Sequence, residues 1–141
     1  MKIIEKQDLK LAFEDLGLSN KRIMVHSSLR NFGRVKNGAD SIIEAICESV
    51  ETCMMPAFSF CSVVAPPILD RPVRNGIDYE TFRTLIIPTP PFKIEEAPLD
   101  SKMGVVAKKF SQIEGCLRSD HPWLSYSAWG EGNKELTDPH P

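Results

Sequence analysis

Apolar residues recur along this chain in two rhythms, a spacing of three to four and short unbroken runs, and the switches between them mark the elements. Between residues 8 and 16, Leu9, Ala12, Phe13 and Leu16 fall on one helical face. Asp8 stands where an N-cap is expected and Gly17 where a helix stops. Ile23-Met24-Val25 is short and wholly apolar, the pattern of a buried strand. A second helix opens at Asp40 or Ser41, with Ile42, Ile43, Ile46 and Val50 as its stripe. Cys53-Met54-Met55 with Ala57-Phe58 predicts a second strand, in which Pro56 marks an end or a bulge because it has no N–H to donate. Asp100 caps a third helix running through Phe110, with Met103, Val106, Ala107 and Phe110 facing inward. Leu124 to Trp129 alternates as a strand, Gly130 and Gly132 end it, and Lys134-Glu135-Leu136 begins another helix. Helices alternating with strands predict a layered α/β fold.

Residues 61–99 break both rhythms. Seven of the eleven prolines lie there, with Pro56 just ahead of them, so the stretch reads as a Pro-rich insert within one domain spanning 1–141. A short helix from Tyr79 to Leu85 is predicted inside it, behind Asp78. Two readings of the insert stand side by side, a lid or substrate wall and a disordered insertion. The tail Thr137-Asp138-Pro139-His140-Pro141 carries no element to finish a layer, which predicts an open sheet edge and an uncovered face.

Composition narrows the function without naming it. A chain of 141 residues fits one domain with a real core, and 42% hydrophobic with 26% charged residues is an ordinary globular balance. The net charge of -2, from 17 basic and 19 acidic residues, argues against a nucleic-acid surface, which would show a basic excess. It suits a cationic substrate, though a solvated surface is the commoner reason for such a balance. No apolar run approaches the roughly 20 residues that span a bilayer. Charges interrupt Met1-Lys2-Ile3-Ile4-Glu5, so no secretory leader is read there and a cytoplasmic location is expected. Cys47, Cys53, Cys61 and Cys116 form no CxxC pair, which predicts reduced structural thiols and no metal site.

Three stretches, in order, say more than the totals. They are Val25-His26-Ser27-Ser28-Leu29 running on to Gly33-Arg34-Val35, then Asp100-Ser101-Lys102-Met103-Gly104, then Arg118-Ser119-Asp120-His121-Pro122. With the joining strand Met54-Met55-Pro56-Ala57-Phe58-Ser59, the chain resembles the N-terminal part of the aminoglycoside 3-N-acetyltransferases, a family of antibiotic acetyltransferases. The resemblance implies an α/β/α fold around a central mixed sheet, incomplete at its C-terminus. It also implies transfer of acetyl from acetyl-coenzyme A (acetyl-CoA) to an amine, directly in a ternary complex. The acceptor would be an aminoglycoside or a related amine. The insert at 61–99 departs from the familiar aminoglycoside enzymes and leaves the acceptor open.

Acetyl transfer requires held phosphates, a general base and donors for the tetrahedral oxyanion. Ser27 and Ser28 offer hydroxyls and backbone N–H groups at a strand end, where open α/β sheets hold ligands. Gly33 allows close approach and Arg34 adds charge. The resemblance implies that Ser27, Ser28, Leu29, Arg34 and Val35, with Ser101 and Met103, hold the pyrophosphate and pantetheine arm. Ser101 is expected in the first turn of a helix, where N–H groups favour anions. Taken singly, the serines only leave a strand or open a helix.

His26 and Ser27 point to opposite faces of a strand, so they form no base–nucleophile pair, and His26 reads as a core or supporting histidine. His121 is expected in a structural or binding role and His140 in solvent. The family's base is a histidine in a segment resembling Leu-His-Leu-Ala-Glu, which nothing in residues 1–141 matches, so no catalytic residue is assigned. Trp123, Tyr126 and Trp129 suit a sugar or adenine wall, although at strand spacing such residues are more often core. Glu95, Glu96 and Asp100 would suit a cationic acceptor. Cys61 shows no local sign of the lowered pKa that an acyl-cysteine route needs. A coenzyme-binding remnant without turnover is the alternative function, and low stability or formation of a homo-oligomer through the open face is expected.

Overall fold

The computed structural model describes residues 3–60, 78 and 93–138. Helix α1 (Lys6–Asp15) begins one turn earlier than the apolar spacing predicts. Glu5, not Asp8, is its N-cap, and the Asp8 carboxylate accepts the Glu5 N–H at 2.9 Å from the third helical position. Such a capping box moves a cap-like residue inside the helix. The buried face is also narrower than predicted, since Leu9 is buried, Phe13 half-buried and Leu16 71% exposed.

Helix α1 packs on α3 (Ala39–Ser49), which follows the one-turn helix α2 (Leu29–Phe32). Lys6 and Lys10 both reach Glu48 on α3, at 2.7 and 2.8 Å. Hydrogen bonds from Lys10 and then Lys6 hold the Glu48 carboxyl down at about 2, below its ordinary 4.5. A depressed carboxylate contributes stability that is present above pH 4.5 and lost as pH falls through about 2. In an acid titration followed by circular dichroism, Glu48→Gln should be less stable than the parent at pH 6. The gap should close by pH 2.

The sheet contains β1 (Arg22–Met24), β2 (Thr52–Pro56), β3 (Leu117–Arg118) and β4 (Tyr126–Gly130), in the order β1-β2-β4-β3. Strands β1 and β2 run parallel, and β4 is antiparallel to both β2 and β3, so the sheet is mixed and the fold is α/β, as expected. Pro56 is the last residue of β2, where its missing donor costs the ladder least. On one face Cys53 and Met55 meet Ile42 and Ile46 of α3 and Val106 and Phe110 of the next helix, all essentially without solvent contact.

Strand β1 is not the fully buried strand that its apolar run predicts. Met24, opposite Met54, is 50% exposed, because β1 is the edge strand and nothing among the described residues covers that side. The third helix is also divided. Asp100 caps a single 3-10 turn, Ser101–Met103, by accepting the Lys102 N–H at 2.8 Å, and α4 proper runs Gly104–Phe110. Gly130 is the last residue of β4, as expected, and still pairs opposite Thr52, while α5 (Asn133–Thr137) follows Gly132. No helix among the described residues is long and apolar enough to cross a membrane. The predicted helix Tyr79–Leu85 and the lid reading lie outside the described residues.

Candidate coenzyme site

The carboxyl end of β1 and the turn before α4 meet over the end of β2. Val25 continues the β1 pairing through its N–H to the Met54 carbonyl at 2.9 Å, and the chain then leaves the sheet at His26 and Ser27. These residues and Val25, with Pro56 and Phe58 from the β2 end and Lys102, Met103 and Ala107 from the turn and α4, line an open cavity of about 150 Å³. Its lining is mixed, with His26, Ser27 and Lys102 as the polar residues among the apolar Val25, Pro56, Phe58, Met103 and Ala107. Phe58 is steadied by an edge-on contact with Tyr126, ring centres 5.4 Å apart.

Of the seven expected binding residues, the cavity brings Ser27 and Met103 together. Ser28 is the exposed N-cap of α2 and Leu29 is that helix's first residue, packed against the core. Arg34 and Val35 lie beyond α2, tied to the N-terminal segment. The Ile4 N–H donates to the Arg34 carbonyl at 2.9 Å, and Ile4 bridges Val35. Ser101 is exposed beside the cavity and not among its walls. It does not open a long helix either, since a single 3-10 turn separates it from α4, so the expected helix-dipole argument does not hold there.

Sequence reasoning did not assign Lys102, Pro56, Phe58 or Ala107 to the site, although each lies in or beside a stretch it had singled out. His26, read as a core or supporting histidine, is exposed at the cavity. His121 braces the turn after Pro122 instead, since its Nδ1 accepts the N–H groups of Trp123 (3.1 Å) and Leu124 (2.8 Å). That geometry requires an unprotonated Nδ1. The three acids do not converge, for Glu96 pairs with Lys93 at 2.9 Å and Asp100 is occupied as a cap. Trp129 packs against the core while Trp123 is 48% exposed, edge-on to Phe60.

Burial pushes the thiols of Cys47 up to about 11 and of Cys53 and Cys116 up to about 12, which makes all three inert at neutral pH. Cys61 and His140 lie outside the described residues. Among the described residues no group of His, Cys, Asp and Glu could hold a metal ion.

The family model for aminoglycoside 3-N-acetyltransferase matches residues 24–141. The chain belongs to this family. It is 28% identical over 140 residues to the SPbeta prophage-derived aminoglycoside N(3')-acetyltransferase-like protein YokD of Bacillus subtilis, covering 96% of this chain and 50% of that protein. It is 29% identical over 130 residues to aminoglycoside N(3)-acetyltransferase III of Salmonella sp, covering 92% of this chain and 44% of that one. Among solved structures, AAC-IIIb in a binary complex with CoASH superposes with a TM-score of 0.76 at 26% identity, over 99% of this chain and 51% of that chain. The chain thus spans about half the length of the relatives it matches.

Proposed function

We propose that this chain binds acetyl-CoA and serves in transferring its acetyl group to an amino group of an aminoglycoside or related amine. The observation that carries the reading is the cavity, where Ser27 from the first motif and Lys102 and Met103 from the second meet in a member of this family. The apolar walls Val25, Pro56, Phe58, Met103 and Ala107 suit the pantetheine arm, and Lys102 suits phosphate as a point charge. At about 150 Å³ the cavity fits a portion of the coenzyme rather than the whole. The likeness to a structure holding CoASH supports the same ligand.

In the reaction, the amine lone pair attacks the thioester carbonyl and the C–S bond breaks. The coenzyme leaves as its thiol once the amine has lost a proton, a step that needs a base. A second reading, coenzyme binding without turnover by these residues alone, is favoured by the absence of any segment resembling Leu-His-Leu-Ala-Glu.

Calorimetric titration of acetyl-CoA into the chain should give saturable binding. The Ser27→Ala, Ser28→Ala double variant should weaken it about tenfold or more, the loss expected for hydrogen bonds to a charged group. No binding by a folded chain would overturn the reading. Steady thiol release with an amine acceptor would overturn the second one.

A further inference from the structure

We propose that Arg118 is the positioning residue of this cavity, which it shapes without lining it. The inference rests on the coenzyme reading and adds a residue to it. Arg118 lies on the short strand β3, half-buried, and its guanidinium reaches Ser59, Ser125 and Ala57, all fully buried. Its Nε donates to Ser125 Oγ at 2.9 Å and its Nη1 to the Ala97 carbonyl at 2.6 Å. Its Nη2 donates to the Ala57 carbonyl at 2.7 Å and to Ser59 Oγ at 2.8 Å. The four acceptors belong to three separate stretches: the exit from β2, the segment returning toward Asp100, and the start of β4.

Both serines pass the restraint on. Ser59 Oγ, accepting from Arg118, donates to the Pro98 carbonyl, and Ser125 Oγ, accepting likewise, donates to the Ala57 carbonyl. Phe58 stands between the two residues Arg118 holds, and its carbonyl accepts the Asp100 N–H at 2.8 Å. Asp100 in turn fixes the next turn, where its carboxylate takes the Lys102 N–H and its carbonyl takes the Met103 N–H at 3.0 Å. One guanidinium therefore sets two parts of the cavity lining, Phe58 and Lys102-Met103. It also ties Ala57 and Ser59 to Ala97. A lysine could not replace it, because a point ammonium cannot serve acceptors spread around a planar fork.

The test pairs Arg118→Lys, which keeps the charge and loses the fork, with Ser59→Ala, which removes a single link. Amide hydrogen exchange is measured in both, together with calorimetric titration of coenzyme A. Exchange at Asp100, Lys102 and Met103 should rise tenfold or more in Arg118→Lys and less in Ser59→Ala, while the α3 amides keep their protection. Coenzyme affinity should fall about tenfold in Arg118→Lys. If Arg118→Lys does not fold, Ser59→Ala still reads the link between the two segments. Unchanged exchange at these three amides overturns the clamp, and so does a rise shared equally by α3. Loosened amides with unchanged affinity overturn its role at the cavity. A parent chain that binds no coenzyme overturns the coenzyme reading instead, while the exchange result still judges the clamp.

Discussion

Gly130→Ala is expected to leave little folded protein. Gly130 sits in β4 opposite Thr52 with φ +101, a backbone region that side chains strain to adopt. A Cβ there would lie 2.2 Å from the Glu51 carbonyl oxygen and 3.0 Å from Thr52 Cα. Both obstacles are backbone, so no side-chain rotation relieves them. Strain of about 1–3 kcal/mol and overlap of similar size or larger add to about 4 kcal/mol or more, against a typical net stability of 5–15. The alternative, a shift of β4 away from β2, would displace the ladder whose far end holds Ser125 and Tyr126 beside the cavity. Gly17→Ala is the control, since it also has positive φ (+71) but an added Cβ meets nothing within 4 Å. It should cost only about 1 kcal/mol. Soluble yield and urea midpoints of the two variants decide the matter, and similar midpoints would show that β4 can move.

Gly130 also marks where the sequence ceased to be legible. Read along the chain, it is a strand terminator. Only the approach of Glu51, far away in sequence, makes it a glycine required inside a pair. Elements with long apolar periods were readable, and the α3 stripe of Ile42, Ile43, Ile46 and Val50 is buried as its spacing predicts. Strand β3, of two residues, and helix α2, of four, are too short to show a period, and the sequence pattern predicts neither. The β1 run was read as buried because apolar runs usually are, but position in the sheet decides burial, and β1 is at the edge.

The candidate site shows the same division. Residues from two of the motif stretches meet at the cavity, but which of their residues face it depends on tertiary contacts. Thus Ser27 and Met103 line the cavity, while Ser28 caps α2, Val35 bridges Ile4 and Ser101 faces solvent. Pro56 and Phe58 join the site only because β2 ends beneath it. The role of Arg118 could not be read locally, for its acceptors at residues 57, 59, 97 and 125 come together only in the fold.

Phe110→Ala should carry the other large effect, and should reach the site from below. Among the described residues Phe110 is the largest side chain without solvent contact, packed where α4 meets α3 and β2. Truncation loses the transfer free energy of the ring and leaves a void that the neighbouring Ile42, Met55 and Val106 cannot close. The expected cost is about 3–5 kcal/mol. Leu or Met at the same position refills most of the volume and should cost less than about 1.5 kcal/mol if the rotamers fit. The void opens under the last turn of α4, one turn from Ala107 and two from Met103, both of which line the cavity. Coenzyme affinity should therefore fall in Phe110→Ala even at temperatures where the variant stays folded, and recover in Phe110→Leu. Urea titration at 15 °C gives the stability change and calorimetry on the same samples gives the affinity. Lost stability with full affinity would mean that the turn bearing Lys102 and Met103 is held by Asp100 and the Arg118 clamp alone, independently of the core beneath it.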